Sequence, residues 1–202
     1  NDEIISKLAA ELGLSLEGID VVNLRHPSER ERRERYARIL ADKRQREGYT
    51  FEEANDKMFE RNYFGMMMVE TGDADAFVTG LYTKYSNTIK VAKEVIGMQE
   101  GFSTFATMHI LNSNKGTYFV ADTLINRAPE LPTLIDITRL AEKSVRFFNH
   151  EPVIAMTSYS NFGSDQGGSA ERVRNAISYF HKNHPDWAID GEIQVNVAMN
   201  SE

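Results

Sequence analysis

The chain has 202 residues, with 41% hydrophobic and 26% charged residues, no cysteine and a formal net charge of −7. That is room for one large globular domain or two small ones, without disulfides or thiolate chemistry, and the acidic balance argues against nucleic acid as a partner. No apolar run approaches the roughly 20 residues that span a bilayer and no signal-peptide pattern occurs, so no membrane partner is expected and the expected location is cytoplasmic.

"NDEIISKLAAEL" predicts a helix, with Ile4, Leu8 and Leu12 on one stripe and Gly13 as its stop. "GIDVVN", residues 18–23, is a β-branched run and predicts a strand. The segment from Pro27 to Gly48 predicts a long helix opened by a Ser28–Glu31 capping box. Residues 25–46 hold nine Lys/Arg against four Asp/Glu, but each acid has a base four residues on: Glu29–Arg33, Glu31–Arg35, Glu34–Arg38 and Asp42–Arg46. That order favours ion pairs along a solvated helix face rather than a basic binding patch.

Thr50 with Glu53 makes a second capping box, for a helix through Met58. Asn62 is the expected cap of a third helix, stopped by Gly72, in which Met66, Met67 and Met68 serve as packing. "ADAFVTG", residues 74–80, predicts a buried strand whose end, Thr79-Gly80, falls where ligands bind in open α/β sheets. Ser86 or Asn87 then caps a helix carrying Ile89, Ala92, Val95 and Ile96. "TFATMHIL" and "GTYFVAD" around "NSNK" read as a hairpin, followed by a helix from Leu134 to Phe148. "PVIAMTS" is a strand, "YSNFGSDQGGS" a loop, and Ser169 the cap of a helix carrying Val173, Ala176, Ile177 and Phe180; "WAIDGEIQV" is the last strand. Strands alternating with helices predict an α/β fold.

The predicted strand ends share a chemistry of hydroxyls and carboxylates: Thr79-Gly80, Asp122-Thr123, Thr157-Ser158 and Asp190-Gly191-Glu192. The loop "GSDQGGS", residues 163–169, precedes a helix and could hold an anion on its amides, although no Gly-Lys-Ser/Thr makes it a P-loop. His181 and His184 stand at i, i+3, but at a helix end before Pro185, which favours a solvated terminus over a metal site. No metal ligands are expected, and neither a GxGxxG nor a Ser-His-Asp order is present.

Four motifs, "YFGMMMVETGDADAFVTG", "GTYFVADT", "VIAMTSYSNFGS" and "AIDGEIQVN", occur in the order and spacing of the phosphate acetyl/butyryl transferase family, which the whole chain resembles. The resemblance implies a two-lobed phosphotransacetylase-like (isocitrate/isopropylmalate dehydrogenase-like) three-layer α/β/α fold, partial at both ends. Its lobes are expected at residues 1–99 and 100–202, with dimerisation through the second. It also implies an acetyl-CoA/phosphate cleft. Arg44, Thr79, Gly80, Thr88 and Lys90 are its expected contacts in the first lobe. Asp122, Thr123, Ser158, Ser160, Asp190 and Glu192 are those in the second.

Some positions depart from the family pattern. Arg44 matches one family arginine, but the arginine used on the acyl phosphate is Lys90 here, and the family's His-Ser-Thr reads Thr83-Lys84-Tyr85. Lysine keeps the charge and loses the fork that fits a phosphate. The aspartate that often follows "DGE-x-Q-V" is Asn196, and the family's catalytic serine–arginine pair is expected beyond this chain, so no catalytic residue is assigned. With "GDADAFVTGLYTKYSNT", these departures resemble the C-terminal domain of bacterial NADP-dependent malic enzymes. That branch implies an acetyl-CoA-sensing regulatory domain in a homodimer or larger homo-oligomer. NADP and a divalent metal, Mg or Mn, would belong to an N-terminal part outside the chain. The alternative is an active transferase moving an acyl group between phosphate and CoA.

Overall fold

Apolar spacing sets the helices of the first half, while the strands expected there find nothing to pair with among the described residues. The structure is a computed structural model and describes residues 2–81 and 83–200. It divides into two units, residues 1–97 and 98–202.

The first unit carries α1 (Asp2–Glu11), α2 (Arg30–Arg44), α3 (Phe51–Lys57), α4 (Arg61–Glu70) and α5 (Tyr85–Val95). Its core joins Tyr36, Ala37 and Leu40 of α2, Ala54 of α3, Tyr63, Phe64, Met66 and Met67 of α4, and Val91 and Val95 of α5. The methionine run is therefore core, and the Thr50–Glu53 capping box forms in both directions. Residues 18–23 and 74–80 are not strands. A β-branched run becomes a strand only beside a partner ladder, and the described residues of this unit supply none. Residues 74–80 instead run along α4: Phe77 lies so close that a Cβ on Gly65 would meet its ring at 2.2 Å.

Local capping differs from expectation at four helices. Ser28 and Glu31 form no box; the Ser28 amide donates to His26 Nδ1, and α2 starts after Glu29 without a side-chain cap. Asn62 lies inside α4, buried, rather than at its cap. Lys84 precedes α5 and Gly167 precedes α7, neither with a side-chain cap. Of the four expected ion pairs, Glu34–Arg38 is present at 3.6 Å. Arg33 instead turns inward, donating to the carbonyls of Leu24 (2.6 Å) and His26 (3.2 Å), while Arg35 reaches Asp73. A fixed carbonyl or carboxylate in the tertiary fold outcompetes a mobile neighbour on a solvated face, where such pairs contribute little.

The second unit carries an antiparallel hairpin, β1 (Met108–Ser113) with β2 (Gly116–Ala121), then α6 (Leu131–Phe147), β3 (Val153–Thr157), α7 (Gly168–Asn183), β4 (Ala188–Ile193) and a short α8 (Val195–Ala198). β3 and β4 pair in parallel across α7, with Ile154 opposite Ile189 and an irregularity between Met156 and Thr157. α7 covers this pair: Val173, Ala176, Ile177 and Phe180 pack with Met156 and Ile189, and Phe180 stacks on Trp187. The chain is thus a mixed α/β protein.

Gly191 is where this β-pair demands glycine: its φ is +144°, and a Cβ would stand 2.5 Å from the Met156 carbonyl oxygen. Gly191→Ala is expected to cost about 1–3 kcal/mol in urea unfolding. Gly80→Ala, with nothing within 4 Å of the added Cβ, should stay within about 0.5 kcal/mol of the parent protein. Equal midpoints for the two variants would contradict the close β3–β4 approach.

Candidate functional site

In the first unit the expected site residues fall into two groups at opposite ends of α5. At its amino-terminal end, Thr79 Oγ1 donates to Asn62 Oδ1 at 2.8 Å, and Asn62 Nδ2 donates to Thr88 Oγ1 at 3.4 Å. Thr83 and Thr88 exchange a hydroxyl contact at 3.3 Å. Buried Asn62 thus ties the end of residues 74–80 to the first turn of α5, a role the sequence hid because asparagine before a helix reads as a cap. Gly80 is exposed beside this network, as are Lys84, just before α5, and Lys90 within it. The Lys90 ammonium stands 3.7 Å from Glu94 with two-thirds of its side chain accessible, at 67%. Hydroxyls, two lysines and a helix start without a side-chain cap make this end attractive to an anion.

At the carboxyl end, Arg44 is occupied. Its Nε donates to the Glu94 carbonyl and its Nη2 to the Lys93 carbonyl, each at 2.6 Å, while Nη1 pairs with Glu47 at 2.9 Å. Lys43 does the same for Val95 and Ile96, at 2.6 and 3.1 Å. Two cations at the end of α2 therefore cap the last carbonyls of α5. In the same last turn, the Glu94 carboxylate accepts both the Tyr49 and Tyr63 hydroxyls, with Lys57 at 3.8 Å. Burial and the neighbouring carboxylate push Tyr49 up to about 12 and raise Tyr63 further, so both stay protonated donors. Tyr49 and Lys57 also line a 440 Å³ surface cavity with Glu47, Gly48, Glu53 and Asp56.

The second unit holds two carboxylate knots. Asp122 accepts from the Thr107 amide (2.9 Å) and hydroxyl (2.6 Å) and from the Asn126 amide (2.6 Å) and side chain (2.7 Å). Thr123 touches the same Thr107 hydroxyl at 3.3 Å, and residues 122–127 border a 510 Å³ depression. Around Glu192, Ser160 Oγ donates at 2.9 Å and Arg174 Nη1 at 3.0 Å, and the Ser158 hydroxyl accepts from the Ser160 amide at 3.3 Å. Asp190, by contrast, is exposed and accepts from the amide of Gly191. Thr107, Asn126 and Arg174 were not legible as site residues, because each acts across 4 to 18 residues of chain. Among the described residues no group of three or more His, Asp or Glu is placed to hold a metal ion, and no helix is long and apolar enough to cross a membrane.

Burial opposes ionisation of Asp122, but the Thr107 and Asn126 donors outweigh it and hold the carboxyl at about 2, below its ordinary 3.8. A depressed carboxyl contributes stability that is full above 3.8 and lost as pH falls through about 2. Asp122→Asn should therefore flatten the stability–pH curve of the protein between pH 4 and 2, measured by urea unfolding. An unchanged acid limb would show that Asp122 carries no such coupling.

The family model for phosphate acetyl/butaryl transferase matches residues 1–202. The NADP-dependent malic enzyme of Escherichia coli is 33% identical over 201 residues, covering 97% of this chain and 26% of that protein. The phosphate acetyltransferase of Synechocystis is 32% identical over 180 residues, covering 89% of this chain and 26% of that protein. The chain thus spans about a quarter of these two relatives. A phosphotransacetylase structure from Streptococcus pyogenes superposes on the whole chain with a TM-score of 0.77 at 26% identity, and the chain covers 63% of it. The chain thus has a phosphotransacetylase-like fold and belongs to the phosphate acetyl/butaryl transferase family.

Proposed function

We propose that this chain is the acetyl-CoA-sensing, non-catalytic part of an NADP-dependent malic enzyme, which converts malate and NADP to pyruvate, CO2 and NADPH. The observation that carries the reading is the state of the two cations expected in the cleft. Lys90 stands where the resemblance implies an arginine and offers a single ammonium. Arg44 spends donors from all three of its nitrogens on α5 and Glu47. Phosphoryl and acyl transfer rely on preorganised charge at the reacting oxygens, and a forked guanidinium supplies it better than a lysine on a flexible stem. What remains suits binding: an anionic CoA ester meets Lys84, Lys90 and the threonine hydroxyls at the start of α5. Likeness to malic enzymes over nearly the full chain supports the same reading.

A second reading has its own support, since phosphate acetyltransferases are as similar to this chain as malic enzymes are. On that reading the segment moves an acetyl group between phosphate and CoA. In either case the homodimer is part of the proposal: Phe147 and Val153 of the second unit are 79% and 84% exposed, apolar surface that a second copy would cover.

The test uses the full-length protein. With acetyl phosphate and CoA, a thiol assay should show no enzymatic turnover. Acetyl-CoA should lower malate oxidation several-fold, in line with typical couplings of about 1–3 kcal/mol between sites. Ordinary transferase turnover would overturn the first reading in favour of the second, and malate oxidation indifferent to acetyl-CoA would remove the sensing role.

A further inference from the structure

The loop after β3 has amides that could hold an anion, and it already encloses one. Glu192 is 0% exposed. Its Oε1 accepts from the Gly163 amide at 2.7 Å, the Ser160 hydroxyl at 2.9 Å and Arg174 Nη1 at 3.0 Å. Its Oε2 is buried and receives no donor from the described residues. Three further loop amides donate within the loop. The Asp165 amide donates to Ser160 Oγ (3.0 Å), the Gly167 amide to Asp165 Oδ1 (2.9 Å) and the Ser164 amide to the Asn161 carbonyl (3.0 Å). Arg174 also holds the Asp165 carbonyl at 2.6 Å, and the backbone is fastened to β4 through Phe162 N–H to the Glu192 carbonyl, 2.8 Å.

We propose that residues 158–168 and Arg174 form a carboxylate-binding hole whose occupant is the chain's own Glu192. Glu192 is then a positioning residue that sets the conformation of Ser158 and Ser160, rather than a contact for an external ligand. The physical reason is mutual dependence. A buried carboxylate without donors is costly, and so are a buried hydroxyl, amide and guanidinium without an acceptor. Neither side is stable alone, so the loop closes when the carboxylate arrives with β4. Burial opposes the charge on Glu192, but the Gly163 amide, Ser160 and Arg174 outweigh it and hold the group below the usual carboxylate range. An external anion would have to displace Glu192 to reach the Gly163 amide, the Ser160 hydroxyl and this Arg174 donor. The inference concerns the second unit's own donors and does not rest on the effector reading.

Removing the occupant tests it, because an emptied hole takes a small carboxylate from solution. In the Glu192→Ala protein, the unfolding temperature should fall by roughly 10 °C, and the Gly163 and Asp165 amides should lose hydrogen-exchange protection. Added formate should restore both saturably, while chloride at the same ionic strength should not. Glu192→Gln fills the hole with a neutral amide and should show no formate rescue. If Glu192→Ala does not fold, Ser160→Ala gives the second reading: protection should fall at Gly163 and Asp165 while β1 and β2 keep theirs. Unchanged loop protection in the folded variants, or equal rescue by chloride and formate, would overturn the proposal.

Discussion

The first unit depends on how the last turn of α5 is satisfied. A helix end leaves carbonyls without intrahelical partners, and the part-buried end of α5 takes side-chain donors from α2 in their place. Lys43 and Arg44 take over, donating to the carbonyls of residues 93 to 96. The contact fixes α5 against α2, while Val91 and Val95 enter the core that α4 shares. Two consequences follow for function. The amino-terminal end of α5 is left without a side-chain cap, beside the Asn62–Thr79–Thr88 network and two exposed lysines. Arg44, meanwhile, is drawn into the scaffold.

The second unit solves a related problem with carboxylates. Asp122 gathers the end of β2 and the turn after it, and Glu192 gathers the loop after β3. Both are internal acceptors serving backbone amides, so the chemistry-bearing strand ends are organised before any ligand arrives. Hydroxyls and carboxylates at strand ends therefore do not announce a ligand by composition alone. The two charged groups differ in access: the Lys90 side chain is 67% exposed, whereas Glu192 is fully buried.

Much of the helical framework was legible because its causes are local. The Thr50–Glu53 box, the apolar stripe of α7 and the stop at Gly72 each follow from spacing within a few residues. The hairpin around Asn114-Lys115 and the strands at 153–157 and 188–193 were legible for the same reason. What failed was non-local. The runs at 18–23 and 74–80 have strand composition, yet a strand needs a ladder partner that short-range pattern does not supply. Arg33 lost its i−4 glutamate to carbonyls seven and nine residues away, and Arg44 found its acceptors about fifty residues on. In the site, the residue types were readable and their employment was not: Asn62 read as a cap and became the hub of a hydroxyl network.

The central proposal is that two cations divide by role, Arg44 of α2 holding the end of α5 and exposed Lys90 of α5 meeting an anionic ligand. The measurement that tests it most directly is acetyl-CoA calorimetry on the full-length protein, paired with urea unfolding of the same Arg44→Ala and Lys90→Ala variants. The account predicts that Arg44→Ala loses about 1 kcal/mol of stability, as a part-buried and an exposed carbonyl lose their donors, and keeps its affinity under conditions where it is folded. Lys90→Ala should keep its stability and lose several-fold in affinity. The opposite pattern, with Arg44→Ala fully stable and blind to acetyl-CoA, would contradict it.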